Sequence, residues 1–165
     1  MGQNLYDTDF YAWTNQQAAA LRKVAELRLN LPGVDIEHLA EEVEDMGKSE
    51  ARAARSALAV IIEHLLKLRH SPAGPPRNGW RDTVHSHRRL LEDVLADSPG
   101  LKSEQRLAEM LAEAWRRGRY DACAALNRYG EADAAAAIPA DCPFRFEQLC
   151  DFEWWPESAC NDGLT

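Results

Sequence analysis

A chain of 165 residues with 45% hydrophobic and 28% charged side chains has the material for one folded domain with its own core, and its composition excludes wholesale disorder. The net charge of −8 argues against broad non-specific binding to nucleic acid or to an anionic membrane. There is no apolar run of about 18 residues and no basic-then-apolar leader, so neither a membrane span nor a signal peptide is predicted and the expected setting is the cytoplasm.

Residues 7–29 are predicted as the first helix, capped by Asp7 or Thr8. Phe10, Trp13, Ala20, Leu21, Val24 and Leu27 approximate one apolar stripe along it. Asn30-Leu31-Pro32-Gly33 is a breaker cluster. The stretch Asp35–Arg69 then organises the rest of the chain. Asp35 is the expected N-cap, and Ile36, Leu39, Ala40, Val43 and Met46 form one apolar face. Gly47 is more natural as a C-terminal cap than inside a helix, so a second helix is expected to restart near Ser49; a kinked continuous helix is the alternative. In Ser49–Arg69, Leu58, Ile61, Ile62, Leu65, Leu66 and Arg69 recur at helical spacing, with Val60 and Leu68 on other sides. A helix apolar over most of its circumference has several neighbours, which puts this one at the centre of a bundle.

The segment HSPAGPPRNG ends that helix in a loop. Trp80–Leu95 is the next helix, with Trp80, Val84, His87, Leu91 and Val94 inward, Leu90 flanking and Arg88 mainly elsewhere. Asp97–Gly100 is a turn, and Ser103 caps a helix to about Tyr129 that Gly118 is expected to loosen. Residues 131–138 are helix-compatible, and 143–151 read as a short terminal helix with Pro143 in its first turn. Trp154 and Trp155 are expected to lie back over the bundle. No period-two strand signal and no internal repeat appears. The fold class is therefore all-α: one domain spanning 1–165, a bundle of five or six helices, with 152–165 as a tail.

The first chemical candidate is the acidic cluster. Residues three or four apart share a helix face, so Glu41 and Glu44 form one pair, Glu42 and Asp45 another, and His38 lies a turn before them. Carboxylates projected from bundle helices can hold Mg²⁺ or Mn²⁺ for hydrolysis of a nucleotide or other phosphoester. That chemistry needs a second acidic pair on another helix. Glu63, Glu92 and Asp93 do not make one, so a solvated acidic face is the simpler expectation. His64 is a candidate ligand or general base, although on an apolar helix a packed, hydrogen-bonded histidine is the commoner case. Arg77, Arg81, Arg88 and Arg89 could meet phosphate or nucleic acid; pairing with the acidic face of the Asp35 helix is the simpler expectation. Cys123, Cys142, Cys150 and Cys160 form no CxxC pair and are expected as reduced thiols. There is no glycine-rich phosphate loop and no nucleophile–base motif.

Several blocks in order carry a resemblance: YDTDFYAWTNQQAAALR, HLAEEVEDMGKSE, HLLKL, the W-R-x-T of Trp80, Arg81 and Thr83, and CPFRFEQLCD. From about Tyr6 to Asp151 the chain resembles the bacterial family called domain of unknown function 29, with HSPAGPPRNG as a divergent link. The resemblance implies a small bacterial all-helical protein without established activity, and it assigns no role to any residue. The expectation drawn is a non-enzymatic interaction or structural module. It needs no cofactor, Mg²⁺ or Mn²⁺ belonging only to the hydrolase alternative. Its partner would be an unidentified protein or a second copy forming a homodimer; a membrane is not expected, and nucleic acid through Arg77–Arg89 is the remaining alternative.

Overall fold

The computed structural model of the protein describes residues 4–27, 31–74 and 76–159. Among the described residues it is all helical, with no strand. The elements are α1 (Leu5–Thr8), α2 (Phe10–Glu26), α3 (Ile36–His70), α4 (Arg77–Asp97), a 3-10 turn (Pro99–Lys102), α5 (Glu104–Arg128), α6 (Ala132–Ala136) and α7 (Phe146–Cys150). No helix among these residues is long and apolar enough to cross a membrane. The chain falls into two compact units, Met1–Ala53 with Asp93–Leu107, and Ala54–Glu92 with Ala108–Thr165.

In the first unit the expected opening helix is two. Asn4 caps α1, and Asp9 takes over as the cap of α2, its Oδ1 accepting from the Ala12 amide at 3.0 Å. Neither Asp7 nor Thr8 plays that part, and residues 28 and 29 of the expected span lie outside the described ones. Tyr6, Phe10 and Trp13 cluster at the junction, with ring centroids 4.9–6.0 Å apart.

The expected break at Gly47 is absent: α3 runs unbroken for 35 residues. Its glycine answers a different need. A Cβ there would lie 2.2 Å from Thr14 Oγ1, so Gly47 lets α2 and α3 approach closely. Ala40 is buried at the same contact, whereas Leu39 and Met46, expected inward, are 44% and 48% exposed. The helices meet through small residues, and the larger apolar side chains lie round the cylinder from that contact.

In the second unit Leu58, Ile61, Ile62, Leu65 and Leu66 are fully buried, as their spacing predicts. Trp80, Val84 and Leu91 of α4, Met110, Ala114, Ala122 and Leu126 of α5, and Leu149 of α7 complete this core. Leu90 faces solvent instead. Gly118 does not loosen α5; it is buried where α5 presses on α3, and a Cβ there would lie 2.5 Å from the Ala59 carbonyl oxygen. Trp115 Nε1 donates to the Ala140 carbonyl at 2.9 Å and Arg119 Nε to that of Pro139 at 2.7 Å, which ties the stretch after α6 to α5. The terminal helix is shorter than expected: it starts at Phe146, is capped at Arg145 and excludes Pro143.

Candidate functional site

The acidic cluster lies on the early part of α3, begun by Asp35. The Asp35 carboxylate accepts from the His38 amide at 3.2 Å and meets His38 Nδ1 at 2.6 Å. His38 stands where a capping box has a glutamate, but its ring bonds the Asp35 carboxylate and not the Asp35 amide. That hydrogen bond, with the adjacent negative charge, holds the imidazole above its ordinary pKa and the Asp35 carboxyl below its own.

The remaining carboxylates diverge. Glu44 accepts from Arg22 of α2 at 2.9 Å and from Lys48 at 3.0 Å, and Lys48 also reaches Asp45 at 2.9 Å. These cations, Arg22 first, hold Glu44 below the usual carboxylate range. Glu41 and Glu42 are exposed, and among the described residues neither has an ion-pair partner. Glu41 lines an open cleft of about 360 Å³ with Arg22, Ala25, Glu26 and Glu37. Glu26 was invisible as a neighbour in the sequence, because it belongs to the preceding helix. Among the described residues no group of three or more His, Cys, Asp or Glu side chains is arranged to hold a metal ion.

His64 is packed and hydrogen-bonded. Its Nδ1 donates to the Val60 carbonyl at 2.9 Å, which leaves Nε2 as the acceptor facing Lys67 Nζ at 3.2 Å. Lys67 is 5% exposed; it donates to Glu63 Oε1 at 2.7 Å and lies 5.5 Å from the Trp80 ring centre. Its half-buried carboxylate partner and the indole face offset the cost of burying the ammonium. Burial, then the Lys67 charge, pushes the His64 pKa below its ordinary 6.5, with His87 of α4 adding in the same direction and Glu63 opposing. The neutral form is therefore the folded form. Below about pH 6.5 the unfolded chain binds a proton that the folded chain resists, so stability is full above that pH and falls as pH drops below it. His70, also depressed by burial, acts in the same sense. His64→Gln should flatten the decline in Tm measured from pH 7.5 to 5.5 while leaving part of it to His70; an unchanged profile would remove His64 from the account.

The four arginines separate. Arg77 donates to the carbonyls of Leu68 at 2.6 Å and Ser71 at 3.2 Å, which satisfies the end of α3. Arg88, expected mainly off the inward face, is 1% exposed. Its Nε donates to the Leu149 carbonyl at 3.0 Å, and its Nη2 to those of Gln148 at 3.0 Å and Trp154 at 3.1 Å. Arg81 and Arg88 both lie against Trp155, 5.3 and 5.0 Å from the ring centre, and His85 meets the same ring edge-on at 5.2 Å. Trp154 packs on Phe144 at 5.8 Å. Both tryptophans therefore lie back on their unit, as expected. Arg89 is exposed. In place of the expected carboxylates, Arg77 and Arg88 meet backbone carbonyls, and Arg81 and Arg88 an indole.

A second cleft, of about 430 Å³, is lined by residues that include His70, Pro72, Glu131 and Asp133. No spacing signal joins residues so far apart in the chain. Cys123 and Cys142 are free thiols, and burial raises the pKa of Cys142; Cys160 lies outside the described residues.

Comparison with known proteins agrees with the all-helical fold. The family model for the domain of unknown function DUF29 matches residues 5–155. The crystal structure of an α-helical protein of unknown function from Rhodospirillum rubrum ATCC 11170 is similar, at 32% identity and a TM-score of 0.76 over 93% of each chain. No curated protein matches the sequence significantly.

Proposed function

This chain belongs to the DUF29 family, and we propose that it is a non-enzymatic interaction module of the cytoplasm, built to dock another protein. The observation that carries this reading is a concentration of exposed large apolar side chains between residues 27 and 46: Leu27, Leu31, Val34, Leu39 and Met46 are 44–70% exposed. Scattered exposed leucines are ordinary, but several within one short stretch suit a contact surface. Several of the groups that could do chemistry are occupied within the fold, Glu41, Glu42 and Arg89 excepted. His64 is bonded through both ring nitrogens, Glu44 and Asp45 are neutralised, and Arg77 and Arg88 are spent on carbonyls, which also weakens a nucleic-acid role.

The hydrolase reading retains one supporting feature, the cleft lined by Glu26, Glu37 and Glu41 together with Arg22. The two readings separate in one set of measurements. Tagged full-length chain, purified at native level from its source cells, should retain one protein in stoichiometric amount, and Mg²⁺ or Mn²⁺ should leave its Tm unchanged. Recovery of the chain alone would defeat the module. A ligand at a hundredfold excess over Kd adds about 2.7 kcal/mol, several degrees for a chain of this size. A metal shift of that size, lost in Glu41→Gln, would favour hydrolysis.

A further inference from the structure

We infer that the exposed face of early α3 is the docking site, and that its occupant is a cationic amphipathic helix of another protein. This deepens the interaction-module reading and rests on it. Leu39 and Met46 are seven residues apart, about 20° from each other around the helix axis, and both face solvent. Val43, half-buried, lies between them on the same side. The buried contact of this part of the helix, through Ala40 and Gly47, lies about 100° further round. The stripe therefore adjoins the buried face through Val43, and its Leu39 and Met46 side is left uncovered by the fold.

Charge selects the occupant. Glu42 lies three residues after Leu39 and four before Met46, which places it beside both. Glu42 is exposed and unpaired among the described residues. A second copy of this chain, packed antiparallel about a two-fold axis near Val43, would set Glu42 against its own twin, and like charges so opposed are destabilising. A helix with apolar anchors at i, i+3 or i+4, and i+7, flanked by lysine or arginine, meets the same stripe with opposite charge along the rim. The net charge of −8 steers such a partner toward the chain over a distance.

The test uses the full chain and two synthetic peptides of about 20 residues, each with leucine at those anchor spacings. One carries lysine on both flanks and the other glutamate. Binding is followed by fluorescence anisotropy at low and physiological salt. The lysine peptide should bind and weaken with salt. The glutamate peptide should bind at least about tenfold more weakly, as should the lysine peptide with the Leu39→Ser/Met46→Ser chain or with Glu42→Lys. Leu90→Ser, at an exposed leucine of α4, should change nothing. Both sites are exposed, so the variants keep the fold, which circular dichroism checks. Absence of lysine-peptide binding, equal binding of the glutamate peptide, or unchanged affinity in Leu39→Ser/Met46→Ser overturns the assignment. So does a concentration-dependent dimer in sedimentation that Met46→Ser abolishes, which would give the face to a second copy. A native partner that still co-purifies with Leu39→Ser/Met46→Ser would preserve the module and sink this surface.

Discussion

Gly118→Ala should destabilise the protein, although alanine is the better helix former by about 1 kcal/mol. The added Cβ would lie 2.5 Å from the Ala59 carbonyl oxygen and 2.9 Å from Ile62 Cγ2. A side chain can rotate away from such a clash, but the carbonyl belongs to the backbone of α3, so the helices must move apart. Overpacking of this kind costs about 1–3 kcal/mol and occasionally more. A net loss of about 2 kcal/mol, or roughly 4–8 °C in Tm at about 2–4 °C per kcal/mol, is the expected result. Gly79→Ala is the control of opposite sign, since a Cβ there meets nothing within 4 Å inside α4. It should raise stability by up to about 1 kcal/mol. A Gly118→Ala chain as stable as wild type in urea unfolding would show that α3 and α5 do not meet as described. Gly47→Ala is a related case with a softer neighbour. Its Cβ would strike the Thr14 hydroxyl at 2.2 Å, and Thr14→Ala removes that atom, leaving a contact of 3.3 Å. The two substitutions should therefore couple, the double variant losing less than the sum of the singles.

These glycines show where the sequence was legible and where it was not. The period of Leu58, Ile61, Ile62, Leu65 and Leu66 reports a buried helix face because burial acts on each of those side chains directly, and all are buried. A glycine carries no such mark. Intrinsic propensity makes Gly47 a helix end, while packing against Thr14 makes it a contact, and only the neighbouring helix decides between them. The face of early α3 misleads for the same reason. Ile36, Leu39, Ala40, Val43 and Met46 read as one inward stripe, yet α2 packs where the side chains are smallest, leaving Leu39 and Met46 outside. The acidic cluster was legible as a set but not in its pairings, because Arg22 reaches Glu44 from 22 residues away. Arg88 was the largest miss. Its partners are main-chain carbonyls 60 to 66 residues distant, and a carbonyl has no residue type to read.

Arg88→Leu should accordingly cost more than any other substitution of a charged residue in this chain. Gln148 and Leu149 end a five-residue helix whose last carbonyls have no partner within the helix itself. The Arg88 guanidinium donates to both, and to Trp154 beyond, while its face lies 5.0 Å from the Trp155 ring centre. Burial pulls the guanidinium pKa below its ordinary value, with Asp151 opposing, but an arginine remains charged. Leucine would fill similar space yet leave acceptors without a donor, at about 1–3 kcal/mol for each one that stays buried. A total of about 3–5 kcal/mol is expected once some carbonyls find water. Arg88→Lys should recover only part of this, because an ammonium keeps the charge but cannot span three carbonyls as the planar fork does. The loss should begin locally. Limited proteolysis of Arg88→Leu should cut first between Phe144 and Trp155, before global unfolding, since that segment hangs on the lost contacts. Loss of less than about 1 kcal/mol, or first cleavage elsewhere, would mean that Leu149 and the aromatic packing of Trp154 and Phe144 hold the segment without the arginine.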